Sequence, residues 1–198
     1  MKKYLIGLVA VLILITIIVI YFVSRRSDSR VNVSRTAVIT ELRELNRLET
    51  ASFTIEKIVD AKTASNGRIQ DFLFGDKLLL IAHGEVIAGI DLSKLQESNI
   101  TIQEKTIALT LPAPEILVVS LDNTKTQVYD RQTGILSKGD KNLETEARSQ
   151  AEQSIRLAAC DGKILDEAAE NARRQLTALF RTLSFETITI SIPAATCK

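Results

Sequence analysis

Residues Tyr4 to Val23 (YLIGLVAVLILITIIVIYFV) form an apolar run broken only by Gly7 and Thr16. A helix of twenty residues rises about 30 Å, the thickness of a bilayer's hydrocarbon core. Fifteen of the twenty are Leu, Ile, Val or Phe, and at the bilayer centre such residues favour insertion by roughly 4–9 kcal/mol in total. Tyr4 and Tyr21 stand near the two ends, where amphipathic rings prefer the interface, and Arg25 and Arg26 follow. The run exceeds the ~7–15 residues of a cleaved signal's apolar region, and no A-x-A-like site follows it. It therefore reads as an uncleaved single-pass anchor whose partner is the lipid bilayer.

The anchor explains the composition. The chain has 25 Lys plus Arg, 24 Asp plus Glu and a mean hydropathy of +0.11. Beyond residue 23 it carries every acid and all bases except Lys2 and Lys3. That part is a slightly acidic domain of ordinary composition. The balance excludes a basic nucleic-acid-binding chain, a multi-pass transporter and a disulfide-dense mini-protein. For orientation, Lys2 and Lys3 face Arg25, Arg26, Arg30 and Arg35 across the run. The basic counts nearly balance, and the short basic tail before a long apolar run is a signal-anchor layout placing the domain outside the cytosol. The expected organisation is an anchor over 1–23, a polar linker over 24–32 and one domain over 33–198.

The domain's periodicities predict an α+β fold. Val38, Leu42, Leu45 and Leu48 mark a surface helix capped by Ser34 or Thr36. Ala51–Ala61 reads as a strand, and Lys62–Arg68 as a turn-rich stretch. Lys77–His83 and Glu85–Ile90, apolar on both faces, read as a central hairpin turning at His83-Gly84. Asp91 caps a short helical turn, and alternating strands follow over 99–103, 106–111, 115–121 and 126–130. Together these predict an antiparallel meander of six or seven strands. After Gly139 the period lengthens to two Ala-rich helices (Leu143, Ala147, Ala151, Ile155, Ala158; then Ile164, Ala168, Ala172, Leu176, Leu179, Leu183), with i,i+4 pairs Glu144/Arg148, Glu152/Arg156 and Glu170/Arg174. Phe185–Ile192 is the closing strand.

Motifs for chemistry are sparse. His83 is the only histidine, so a His-rich metal site is impossible and a nucleophile–base relay has one candidate base, expected at a turn. No G-x-G-x-x-G or Walker pattern is present, and the expected metal and cofactor sets are empty. Asp91 could act as a functional carboxylate, but capping the next turn explains it with less. Pro112 and Pro114 read as a rigid bend. Cys160 and Cys197, 37 residues apart, could pair in an oxidising compartment; the alternative is two free thiols.

The segments Ile39–Ala51, Lys77–Leu92 (KLLLIAHGEVIAGIDL), Leu111–Ile116 (LPAPEI) and the late helices ending Leu183-Ser-Phe185 resemble the bacterial family catalogued as domain of unknown function forty-two thirty, over about residues 36–192. The resemblance implies a membrane-anchored envelope protein, and it carries over no activity and no catalytic residue. It singles out Gly89, Asp91, Pro112 and Pro114 for mutation. The leading expectation is a non-enzymatic module that binds another envelope protein or itself through the sheet edge or the Ala-rich helices. The alternatives are a ligand- or lipid-binding module with an apolar pocket between sheet and helices, and an enzyme using carboxylates such as Asp91.

Overall fold

A computed structural model describes residues 14–21, 35–63 and 67–197, without the side chain of Arg68. Two compact units emerge, residues 1–34 and 35–198. In the first, residues 14–21 form helix α1. The rest of the Tyr4–Val23 run and the 24–32 linker lie outside the described residues. Among those described, no helix is long and apolar enough to cross a membrane.

The second unit is α+β. Its spine is a pair of 16-residue strands, β1 (Arg47–Lys62) and β2 (Asp76–Asp91), antiparallel over their whole length from Arg47↔Asp91 to Lys62↔Lys77. At about 3.3 Å per residue each runs about 50 Å. The expected hairpin at His83-Gly84 does not exist: β2 passes straight through both residues. The reason lies on the other strand. From Ala51 to Lys62 the residues of β1 face β2 without a break, with Glu56 opposite His83 and Ile55 opposite Gly84. Gly84 supplies proximity rather than a turn, since a Cβ there would lie 2.8 Å from Ile155 Cδ1 and 2.9 Å from the Ser120 carbonyl oxygen.

The far edge of β2 is shared end to end by β5 (Glu115–Leu121) and β6 (Gln127–Thr133). Between them, Asp122–Thr126 loops out opposite His83. Asp122 N–H donates to the His83 carbonyl (2.8 Å), and the buried Thr126 hydroxyl bridges the His83 N–H and carbonyl, each at 3.2 Å. One side chain thus satisfies β2's backbone groups across the gap, as a buried ladder requires.

A second sheet joins β3 (Ile100–Gln103), β4 (Thr106–Thr110) and β7 (Thr187–Ser191). β3 and β4 form the expected hairpin. β7 runs parallel to β4, with Ile188 beside Ile107 and Ile190 beside Leu109. The single antiparallel meander is therefore corrected to two sheets. Pro112-Ala113-Pro114 is the crossover between them. Proline has no N–H for a ladder, so β4 ends and β5 can start in the other sheet.

Helix α2 (Arg35–Glu44) buries Val38, Ile39 and Leu42 near the β2 exit and β3, and Leu45 and Leu48 fall beyond its end. Helix α3 (Arg68–Phe74) occupies the stretch expected to be only turns. Helices α4 (Leu143–Asp161) and α5 (Ile164–Thr182) cover one face of the first sheet. Leu143, Ala147, Ala151, Ile155 and Ala159 of α4 and Ile164, Leu165 and Ala168 of α5 interlock with Ala51, Val59, Leu78, Leu80, Ala82, Val86 and Ala88. Alanines let the helices approach the strands closely, and their stripes are spent on this core. The Ala-rich faces expected to serve self-association are therefore covered. Ala159 rather than Ala158 closes the α4 stripe; on α5, Phe180 is buried while Leu179, and Leu183 just past the helix end, are each 42% exposed. Phe180 meets Phe185 edge-on at 6.1 Å between centroids. Glu144–Arg148 pair at 3.0 Å. Glu170 pairs instead with Arg173 (2.7 Å), Arg174 donates to Asn171, and Arg156 lines a cleft without an ion pair to Glu152.

Candidate functional site

The described residues offer two places where function could reside: a corner beside the crossover and the far end of the β1–β2 spine.

At the corner, β2 ends on Gly89-Ile90-Asp91. A Cβ on Gly89 would lie 2.1 Å from the Leu48 carbonyl oxygen and 2.9 Å from Glu49 Cα. The closeness comes from a bulge in β1 that leaves Thr50 as an extra residue. Helix α5 grips that bulge: the Thr50 hydroxyl donates to the Ala168 carbonyl (2.8 Å), and Asn171 Nδ2 donates to the Thr50 carbonyl (2.7 Å). Asp91 then caps the 3-10 turn Leu92–Lys94, accepting from the Ser93 N–H at 3.0 Å and from the Ser93 hydroxyl. Lys94 Nζ lies 3.2 Å from Asp91 and 2.8 Å from Glu115, the residue facing Gly89 across the sheet. The Ser93 hydroxyl, then Lys94 and the Ser93 N–H, hold the Asp91 carboxyl below the usual carboxylate range; Glu115, then Asp91, raise Lys94.

Gly89, Asp91 and Pro114 thus meet in one corner. Pro114 helps line an adjoining cleft of about 470 Å³, and Pro112 lies one step away in the crossover. The other walls are Ala113, Glu115 and Ile116, Arg156 of α4, Leu165 of α5 and the tail Ala194–Cys197. The tail stays there because Cys160 at the end of α4 forms a disulfide with Cys197, with Cα atoms 6.0 Å apart. Closing a 37-residue loop by a disulfide contributes about 3–4 kcal/mol in the chain-entropy model. A Cys160→Ser/Cys197→Ser variant is expected to lose that much stability in urea titration, and a reductant should lower the wild type toward the variant while leaving the variant unchanged.

His83 lies mid-strand on the helix-free face, with Nε2 3.4 Å from Glu56 Oε2. Among the described residues no three His, Cys, Asp or Glu side chains converge as metal donors.

The far end was not foreseen. α3 links β1 to β2, and residues 134–136 dock on its backbone: Gly134 N–H to the Gly75 carbonyl (2.7 Å) and Leu136 N–H to the Leu73 carbonyl (2.8 Å). Ile69, Phe72, Phe74, Ile135 and Leu136 are all more than half exposed there. Beneath them lies Asp76, 2% exposed. It accepts from Arg131 Nη2 (2.6 Å) and Nε (3.2 Å), the Asp140 N–H (2.7 Å) and the Thr133 hydroxyl (3.3 Å). Arg131 Nη2 also donates to the Asp140 carbonyl at 2.6 Å. This carboxylate fastens the 134–140 segment to the spine and so fixes the apolar end. Period-two alternation back from Leu80 and Leu78 puts Asp76 on the buried face, which is the signal that marks it as a structural charge.

No curated protein and no solved structure matches the chain. A family model does, over residues 40–190, from the helix ahead of β1 through β7. It covers the spine, both sheets, the crossover and the late helices, and on that match the chain belongs to the family described as Protein of unknown function (DUF4230).

Proposed function

We propose that this protein is a membrane-anchored, non-enzymatic assembly module of the bacterial envelope, and that copies associate through the apolar end of the β1–β2 spine. The observation that carries the reading is the cluster Ile69, Phe72, Phe74, Ile135 and Leu136, five large exposed apolar side chains on one backbone-bonded unit. Contiguous exposed patches of this kind mark interaction surfaces. The charges beside it favour a second copy as occupant. Lys62, Lys77 and Lys138 stand in these segments together with Asp60 and Asp71, and Asp60 already pairs with Lys77 at 3.4 Å and Lys62 at 4.0 Å. A rim of both signs complements itself in a two-fold contact, whereas an anionic lipid surface calls for a basic one.

The Tyr4–Val23 run supports anchoring. The Cys160–Cys197 disulfide, which persists in oxidising compartments, supports a domain outside the cytosol, as does the short basic tail before the anchor. A shared bilayer would then concentrate the copies.

The test uses the full chain in native membranes and an amine-reactive cross-linker acting on the rim lysines. A dimer adduct is expected, and Phe72→Asp/Leu136→Asp should reduce it at least about tenfold. Exposed substitutions of this type change stability by about 0.5 kcal/mol or less, so the urea midpoint should hold. A wild-type chain that yields only monomer, or an adduct unchanged in the variant, would overturn the reading.

A further inference from the structure

The 470 Å³ cleft beneath the C-terminal tail is a separate feature, about one spine length from the apolar end. Its size lies within the range of small-molecule sites. Ala113, Pro114, Ile116, Leu165, Ala194 and Ala195 supply its small, aliphatic side chains, and polar atoms share the lining about equally. Two charged side chains reach it. Glu115 is already neutralised by Lys94 at 2.8 Å. Arg156 is half-buried and forms no ion pair or side-chain hydrogen bond among the described residues, although Glu152 stands one helical turn before it. Of the other acids of α4, Glu144 holds Arg148, and neither Glu146 nor Asp161 lines the cleft.

We propose that this cleft binds a small aliphatic monocarboxylate, with Arg156 receiving the carboxylate and the alanine-rich tail covering its apolar body. One guanidinium matches one carboxylate, and its planar fork can donate two parallel bonds to it. Arg156 is the one cation among the described residues that line the cleft, which disfavours phosphates and dicarboxylates. The Cys160–Cys197 bond makes the tail a fixed wall, so the site is formed before a ligand arrives. This proposal does not depend on the assembly reading.

The probe is butyrate, titrated into the full chain in lipid nanodiscs and followed by the backbone amide shifts of Ala113, Ala194, Ala195 and Thr196. Saturable shifts are expected. Arg156→Gln should weaken binding at least about tenfold, the loss of one charge-assisted pair. Cys160→Ser/Cys197→Ser should weaken it several-fold by releasing the wall. Butylammonium and inorganic phosphate should leave these amides in place. Phe72→Asp/Leu136→Asp should bind butyrate like the wild type, which separates this site from assembly. Amides that do not move with butyrate, equal binding by Arg156→Gln, or an equal response to butylammonium would each overturn the proposal.

Discussion

Replacing Asp76 by Ala is expected to lower the stability of the 35–198 unit by about 3 kcal/mol, equivalent to a fall in Tm of about 6–12 °C for a domain of this size. Breaking a buried ion pair from one side generally costs about 3–5 kcal/mol. The low end applies because Arg131, whose side chain is 35% exposed, can recover water. The loss is still large because the carboxylate also accepts the Asp140 N–H and the Thr133 hydroxyl. Thermal denaturation followed by circular dichroism checks it. A shift under about 2 °C would mean that the loop is held by its backbone bonds alone.

The same group sets an acid limit. The Arg131 hydrogen bond, against the opposing effect of burial, holds the Asp76 carboxyl below the ordinary range, aided by the Asp140 N–H. A folded-state pKa that is depressed stabilises the fold above the unfolded value of about 3.9, and this contribution disappears as pH falls through the folded value. The wild type should therefore lose stability below about pH 4. Asp76→Asn should start lower at neutral pH and lose less on acidification. Parallel acid profiles for the two proteins would remove Asp76 as a source of acid sensitivity.

Gly89→Val is expected to be at least as damaging, at about 3 kcal/mol or more. A Cβ there would sit 2.1 Å from the Leu48 carbonyl oxygen, a backbone atom that can retreat only by opening the β1–β2 ladder. The bulge at Thr50 and its two bonds to α5 lie within one residue of the clash, so helix and strand would lose their shared anchor. Gly67→Ala is the internal comparison. Its added carbon meets nothing within 4 Å among the described residues, and a change under about 0.5 kcal/mol is expected. Urea titration of the two variants, with amide exchange at residues 48–51, checks both. Equal stability of Gly89→Val and Gly67→Ala would show that the strand pair yields freely at this point.

Helical and alternating periods were readable wherever a single face decides burial. They marked α4, α5, β3, β4 and β5 within a few residues. They misled at His83-Gly84 because a glycine inside a strand carries the same local signal as a glycine at a turn. Only the unbroken facing residues of β1 distinguish the two. Helix α3 was hidden because its apolar residues are exposed, so no buried stripe announces it. The parallel pairing of β7 with β4 depends on where α5 delivers the chain, which no local pattern encodes. At the corner, Gly89, Asp91 and Pro114 could be singled out from the chain alone. Arg156 could not: read by spacing it belongs to Glu152, and its place in the cleft follows from the tail folding back across it.

The position of β7 has a consequence for how the protein is made. Its five residues, 187–191, complete the second sheet, and the cysteine that fastens the tail follows at 197. During synthesis the β3–β4 hairpin must wait with an unpaired edge until residues 187–191 have emerged. An exposed edge is a template for pairing with other chains. A product stopped before β7 would keep that edge open and leave Cys160 without its mate. Such a product should aggregate through its own half-built sheet.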